Sequence, residues 1–200
     1  MGDSLPEGIV TILFTDVEGS TALRRDKGDR AAQRAFDIHD GIVRAEVAAH
    51  GGKVVKGLGD GFMIVFASPA DGLGCARAIQ QALERERRLH PESTVQVRMG
   101  LHTGEVVRQG DDLQGIAVNA AARIAAKAKG GQILASEVVR QLTSANPAHG
   151  LTVRGWFSLK GFSERWRLYE VPWGGDAAAV APAWRAAGSP PAPRRRSRRA

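Results

Sequence analysis

The chain has 200 residues, of which 43% are hydrophobic and 24% are charged, and its formal net charge is +7. This composition is ordinary for a globular domain, and no apolar run approaches the ~20 residues that a transmembrane helix needs. Cys75 is the single cysteine, which excludes an internal disulfide and favours a reducing compartment. The N-terminus lacks the pattern of a signal peptide, so we expect a cytoplasmic protein.

The positive charge is concentrated at the C-terminus. Residues 174–200 contain six arginines and one acid among alanine, glycine and proline, whereas the rest of the chain is nearly neutral. Such a composition cannot bury enough apolar surface to fold, so we predict a folded domain over 1–173 and a disordered basic tail over 174–200. We expect no stable nucleic-acid or membrane partner, only weak contact between the tail and anionic surfaces.

Hydrophobic periodicity and turn-forming residues predict alternating strands and helices. The first half predicts a strand over 9–14, a helix from Ser20 or Thr21 (either would cap it) to His50, a hairpin of 53–56 and 62–66, and a helix over 69–90. The second half predicts a strand over 95–107, a helix over 117–129 capped by Gly130-Gly131, a strand over 133–135, a helix over 136–144, and strands over 153–159 and 166–171. Because a hairpin interrupts the alternation, we predict a mixed α/β or α+β sheet.

Two acidic residues belong to strand-like segments, Asp16 in ILFTDVEGST and Asp60 in VVKGLGDGFMIVF. Strands disfavour aspartate unless something compensates its charge. Either residue alone is better explained as a cap or turn residue. As a pair at strand ends, they predict a hard-oxygen site for Mg²⁺ or Mn²⁺ and thus phosphate chemistry.

Three motifs, FTDVEGST, KGLGDGF and DLQGIAVNAAAR, resemble in order and spacing the class III nucleotidyl cyclase catalytic domain of the small bacterial adenylate cyclase type. The resemblance covers 8–172, nearly all of the predicted domain. It implies an α+β sandwich with a ferredoxin-like βαββαβ core, in which helices flank a mixed, mainly antiparallel sheet.

The resemblance also implies roles for individual residues. Two metal ions, Mg²⁺ or Mn²⁺, would be held by Asp16, Asp60 and the Val17 carbonyl, and the helix start at Gly19, Ser20 and Thr21 would hold phosphate oxygens. Lys56 and Asp112 match the purine-selecting pair: a lysine facing adenine N1 and an aspartate facing N6 complement adenine and mismatch guanine.

The helix of the third motif and a later turn complete the set. Asn119 and Arg123 are four residues apart on one helix face, where the resemblance implies that Asn119 orients the ribose and Arg123 stabilises charge on the α-phosphate. Lys160 aligns with a lysine that contacts the terminal phosphates, although a solvated turn lysine fits nearly as well. Many relatives have an arginine where this chain has Glu105, so Arg98 or Arg108 is needed to replace that phosphate contact.

The resemblance therefore implies a homodimeric adenylate cyclase that converts ATP to 3′,5′-cyclic AMP and pyrophosphate. Two sites would form at one interface, where Asp16 and Asp60 of one chain face the base, ribose and transition-state residues of the other. The alternatives are a guanylate cyclase, a catalytically silent cyclase-like domain that senses nucleotides or binds a partner, and a nucleic-acid binder that works through its tail.

Overall fold

The structure is a computed structural model that describes residues 5–91, 95–146 and 149–174. The predicted basic tail lies outside these residues except for Gly174, so both its disorder and its weak contact with anionic surfaces stay predictions. Within the described part of the chain, none of the helices combines the length and apolar character needed to cross a bilayer.

Eight strands and five helices alternate along the described residues. In chain order they are β1 (Gly8–Val17), α1 (Ser20–Lys27), α2 (Asp29–Ala49), β2 (Lys53–Gly57), β3 (Gly61–Phe66), α3 (Pro69–Leu89), β4 (Val97–Gln109), β5 (Asp112–Gln114), α4 (Ile116–Ala125), β6 (Ile133–Ser136), α5 (Glu137–Thr143), β7 (Thr152–Ser158) and β8 (Arg165–Glu170).

The strands form one mixed sheet in the order β2-β3-β1-β4-β6-β8-β7, and β5 pairs with the far end of β4. β4 and β6 are parallel, and the other neighbouring strands are antiparallel. The first four long strands, with the helices between them, have the ferredoxin-like order β2-β3-β1-β4. The predicted mixed, mainly antiparallel sheet flanked by helices is confirmed.

The two faces of the sheet are covered unequally. On one face, which we call the covered face, α1, α2, α3 and α5 pack over alternate sheet residues that include Leu13, Ile64 and Leu101. On the other, which we call the open face, α4 packs over Ile12, Phe14 and their neighbours. Because side chains alternate along a strand, Asp16 points to the same face as Phe14, the open face.

Two predicted helices differ from the structure. The helix predicted from 20 to 50 is divided into α1 and α2 at Gly28, whose φ of 77° lies outside the helical region. The helix predicted over 117–129 ends at Ala125, and Gly130-Gly131 do not cap it. The backbone instead tightens into turns in which the amides of Lys127 and Ala128 bond three residues back, which ends the helix early.

Candidate active site

Asp16 and Asp60 lie close together because the chain segments that carry them are hydrogen-bonded neighbours. Asp16 is opposite Gly61 in the β1–β3 register, and the Val17 amide donates to the Asp60 carbonyl oxygen at 3.0 Å. Glycine permits this approach, since a Cβ at position 61 would lie 1.9 Å from the Thr15 carbonyl oxygen. The fold thus brings the two acids, which are far apart in sequence, to one end of the open face.

Each of these carboxylates already has a polar partner. The Arg98 guanidinium donates to Asp16 Oδ2 from Nε at 2.6 Å and lies 2.5 Å from it through Nη2. The Ser20 hydroxyl donates to Asp60 Oδ2 at 2.6 Å. The Asp16 and Arg98 side chains are each 31% exposed, so solvent and ions reach the pair.

The contact of Ser20 with Asp60 corrects the predicted helix cap. Gly19, with φ of 70°, is the residue before α1, and no side chain caps this end of the helix. Ser20 is the first helical residue, and neither it nor Thr21 has the position of a cap. The hydroxyl of Ser20 instead joins α1 to the carboxylate pair.

The donor chemistry of this pair fits a divalent metal ion. Two carboxylates on adjacent strands, with the backbone carbonyl of Val17 next to one of them, are the hard oxygens that Mg²⁺ and Mn²⁺ prefer. Among the residues that the structure describes, no three His, Cys, Asp or Glu side chains converge. Any ion here would therefore complete its coordination with backbone, water or phosphate oxygens, as Mg²⁺ commonly does.

Lys56 and Asp112, the predicted purine-selecting residues, contact each other. The Lys56 ammonium donates to Asp112 Oδ2 at 2.6 Å, although the two residues are 56 positions apart. This hydrogen bond is the main reason why the pKa of Asp112 lies below its usual range. The side chains are 41% and 37% exposed, so a planar base has access to both.

Asn119 and Arg123 are both exposed on α4. The opposite side of this helix is buried through Ala117, Ala121 and Ala125, which pack on the sheet. The approach is close: a Cβ on Gly100 of β4 would lie 2.2 Å from the Ala125 amide nitrogen.

Within the described ranges, no hydrogen bond or ion pair joins this α4 pair to the acids or to the base-recognition pair. One protomer therefore presents three separate polar groups. Two are on the open face of the sheet and its β2–β5 edge, and the third is on the exposed side of α4.

Lys160 is exposed in the turn between β7 and β8. The β7–β8 hairpin forms one edge of the sheet and β2, which carries Lys56, forms the other. Lys160 is therefore separated from Lys56 by the full width of the sheet.

The structure separates the two candidates for the missing phosphate contact at Glu105. Arg98 is directly opposite Asp16 in the β1–β4 register. Arg108 lies at the far end of β4, near Glu7 at 3.9 Å, and is not available to a site at Asp16. The ion pair of Arg98 with Asp16 was not predicted; its only sequence signal is a charged residue within the strand segment VRMGL.

Two histidines are buried, as expected for structural residues. His102 shares a hydrogen bond of 2.9 Å with Ser136 and lies edge-on to Trp166, and burial lowers its pKa to about 4. His39 shares a hydrogen bond of 2.8 Å with Asp40, and burial lowers its pKa too. Neither belongs to a metal-ligand cluster among the described residues.

Comparison with known proteins gives one consistent family. The family described as the adenylate and guanylate cyclase catalytic domain matches residues 4–171. A putative adenylate cyclase of Rhizobium meliloti is 30% identical over 159 residues, which is 79% of this chain and 27% of that protein. The chain spans less than half the length of the curated relatives that we compared with it.

Solved structures agree with this match. An adenylate cyclase of Trypanosoma brucei in its monomeric state superposes with a TM-score of 0.75 and 25% identity, covering 90% of this chain and 96% of that one. An adenylate/guanylate cyclase/hydrolase of Silicibacter pomeroyi superposes with a TM-score of 0.71 and 30% identity, covering 84% and 99%. From its fold, its motifs and these matches, the chain belongs to the adenylate and guanylate cyclase catalytic domain family.

Proposed function

We propose that this domain is an adenylate cyclase that converts ATP to 3′,5′-cyclic AMP and pyrophosphate. The observation that carries the proposal is the close approach of Asp16 and Asp60 on the open face, where both carboxylates remain accessible. Two acids kept together and partly exposed are suited to phosphate chemistry more than to fold stability, because burying carboxylates costs free energy.

Asp16, Asp60 and the Val17 carbonyl would hold two divalent ions, Mg²⁺ or Mn²⁺. Bound there, the ions would supply neutralisation of phosphate charge and a lower pKa for the attacking ribose 3′-hydroxyl. The backbone amides at Gly19, Ser20 and Thr21 begin α1 beside these acids, where free N–H groups can donate to phosphate oxygens.

The contact between Lys56 and Asp112 supports adenine as the base. A lysine donor and an aspartate acceptor that lie side by side complement the N1 acceptor and N6 amino donor of adenine. Guanine presents a donor at N1 and an acceptor at O6, so the same pair would leave both groups mismatched. We therefore favour ATP over GTP, and comparing turnover of the two nucleotides by one preparation decides between them.

Asn119 and Arg123 would act on the ribose and the reacting phosphate. Arg123 is exposed and free to direct a planar guanidinium at the oxygens of the α-phosphate, where negative charge builds in the transition state. Lys160 would contact the terminal phosphates through its ammonium group.

We further propose that two chains complete each site. The three polar groups of one protomer do not contact one another, and Lys160 is at the opposite sheet edge from Lys56. In a two-fold dimer, Asp16 and Asp60 of one chain would face Lys56, Asp112, Asn119 and Arg123 of its partner. Mixing Asp16→Ala with Arg123→Ala chains tests this, because each mixed dimer would keep one intact site and regain activity. Well-folded mixed dimers that stay inactive would contradict it.

The test of the reaction itself is incubation of pure protein with ATP and Mn²⁺, followed by chromatographic detection of cyclic AMP. Asp60→Ala is the control, and we expect its product to fall to background while its melting temperature stays close to that of the wild type. If neither cyclic AMP nor cyclic GMP forms although ATP binds, the protein is instead a nucleotide-binding relative without catalytic activity.

A further inference from the structure

We infer that Arg98 is a resident counterion of Asp16, which a divalent metal ion has to displace when it binds. The inference rests on the proposed function, because it concerns the same carboxylate. It adds a residue that the three motifs do not contain and a sign for its effect on metal affinity.

The geometry places Arg98 in competition with a metal ion. Both contacting nitrogens, Nε at 2.6 Å and Nη2 at 2.5 Å, approach the same oxygen, Oδ2 of Asp16. Arg98 is directly opposite Asp16 across β1 and β4, so the backbone register keeps the cation beside this acid. Among the described residues, Asp16 is the only carboxylate that pairs with Arg98.

Charge sets the direction of the effect. Asp16, Asp60 and Arg98 together carry a net charge of −1, and the arginine offsets the repulsion between two neighbouring acids. A divalent cation at Asp16 would meet the guanidinium at short range, and like charges at a partly exposed site repel by an amount that matters. The metal ion and Arg98 are therefore alternative partners of Oδ2.

A simpler role for Arg98 predicts the opposite result. If the arginine only held the Asp16 side chain in the orientation that a metal ion needs, its removal would weaken metal binding. If it is a counterion that has to leave, its removal would strengthen metal binding. The sign of the change in affinity separates the two roles without any measurement of catalysis.

The experiment is calorimetric titration of the nucleotide-free protein with Mn²⁺. We expect Arg98→Gln to bind Mn²⁺ about tenfold more tightly than the wild type, because a positive charge a few ångströms from the ion is gone. Arg98→Lys, which keeps the charge, should stay near the wild-type affinity. Arg108→Gln removes the same charge from the far end of β4 and serves as the matched control, with no change expected.

A second measurement uses the wild-type protein, so it does not depend on how well Arg98→Gln folds. The Nε–H resonance of Arg98, assigned by its loss in Arg98→Lys, should shift when Mg²⁺ is added and should stay in place in Asp16→Asn. A resonance that does not move while Mg²⁺ binds would overturn the inference.

The outcomes also separate this inference from the proposed function. If Asp16→Asn abolishes Mn²⁺ binding but Arg98→Gln binds no more tightly than the wild type, the counterion role is wrong and the metal site stands. If Asp16→Asn binds Mn²⁺ as well as the wild type does, the proposed metal site is wrong and the counterion role is wrong with it.

Discussion

The covered and open faces of the sheet differ in what their side chains do. The covered face is filled by large side chains with almost no exposure, among them Leu13, Ile79 and Phe66. The open face is packed by the alanines of α4 and carries the partly exposed pair of Asp16 and Arg98. Stability and chemistry are thus assigned to opposite sides of one sheet, so substitutions on the two faces should have separable effects.

The largest effect on stability should come from the covered face. Phe66→Ala removes a ring that is 1% exposed and leaves a cavity, so we expect the free energy of unfolding to fall by about 3–5 kcal/mol in urea denaturation. Trp156→Ala, at a residue 58% exposed on the edge strand β7, is the control and should cost much less. Equal losses for the two variants would mean that the covered face is not the main source of stability.

The largest effect on activity should come from α4. Arg123→Ala is expected to lower kcat about 10²- to 10³-fold, the usual result of removing a group that stabilises transition-state charge. The melting temperature should hardly change, because Arg123 is exposed and has no hydrogen bond or ion pair within the described ranges. Arg85→Ala, an exposed arginine on covered-face helix α3, is the matched control and should keep full kcat.

Base selection should respond to the edge pair next. In Lys56→Met the donor to Asp112 is lost, so we expect the ratio of kcat/KM for ATP to that for GTP to fall about 10- to 100-fold. The effect is limited because the pair is partly solvated. Lys53→Met on the same strand should leave the ratio unchanged; a change in both variants would show that β2, not the ion pair, sets the preference.

The smallest effect should be a dependence of stability on pH. Burial lowers the pKa of His102 to about 4, below its ordinary value of 6.5. Between these values the unfolded chain binds a proton that the folded chain does not, so the free energy of unfolding falls as pH decreases. We expect a loss of about 1–2 kcal/mol between pH 7 and pH 5 from this residue. Chemical denaturation at both pH values should show a smaller loss in His102→Gln, and an unchanged pH dependence would exclude this assignment.

Most elements could be predicted from sequence because their signals are local. Alternating apolar residues specified β1 and β3, and Ser68 and Pro69 mark the start of α3 with a side-chain cap. The predictions were wrong where tertiary packing overrides local preference. The chain leaves the helix at Gly28 so that α1 and α2 can both pack on the sheet, and α4 ends in tight turns before its predicted glycine cap.

The motifs determined which residues are candidates for the site, since Asp16, Asp60, Asn119 and Arg123 are recognisable from the letters around them. Tertiary structure alone decided their partners: Arg98 beside Asp16, Ser20 on Asp60 and Lys56 on Asp112. These partners are between 40 and 82 positions apart in sequence. Local patterns extend over a few residues, whereas strand register and the packing of distant segments depend on the whole fold. That is why the chemistry could be read from the sequence and the contacts that tune it could not.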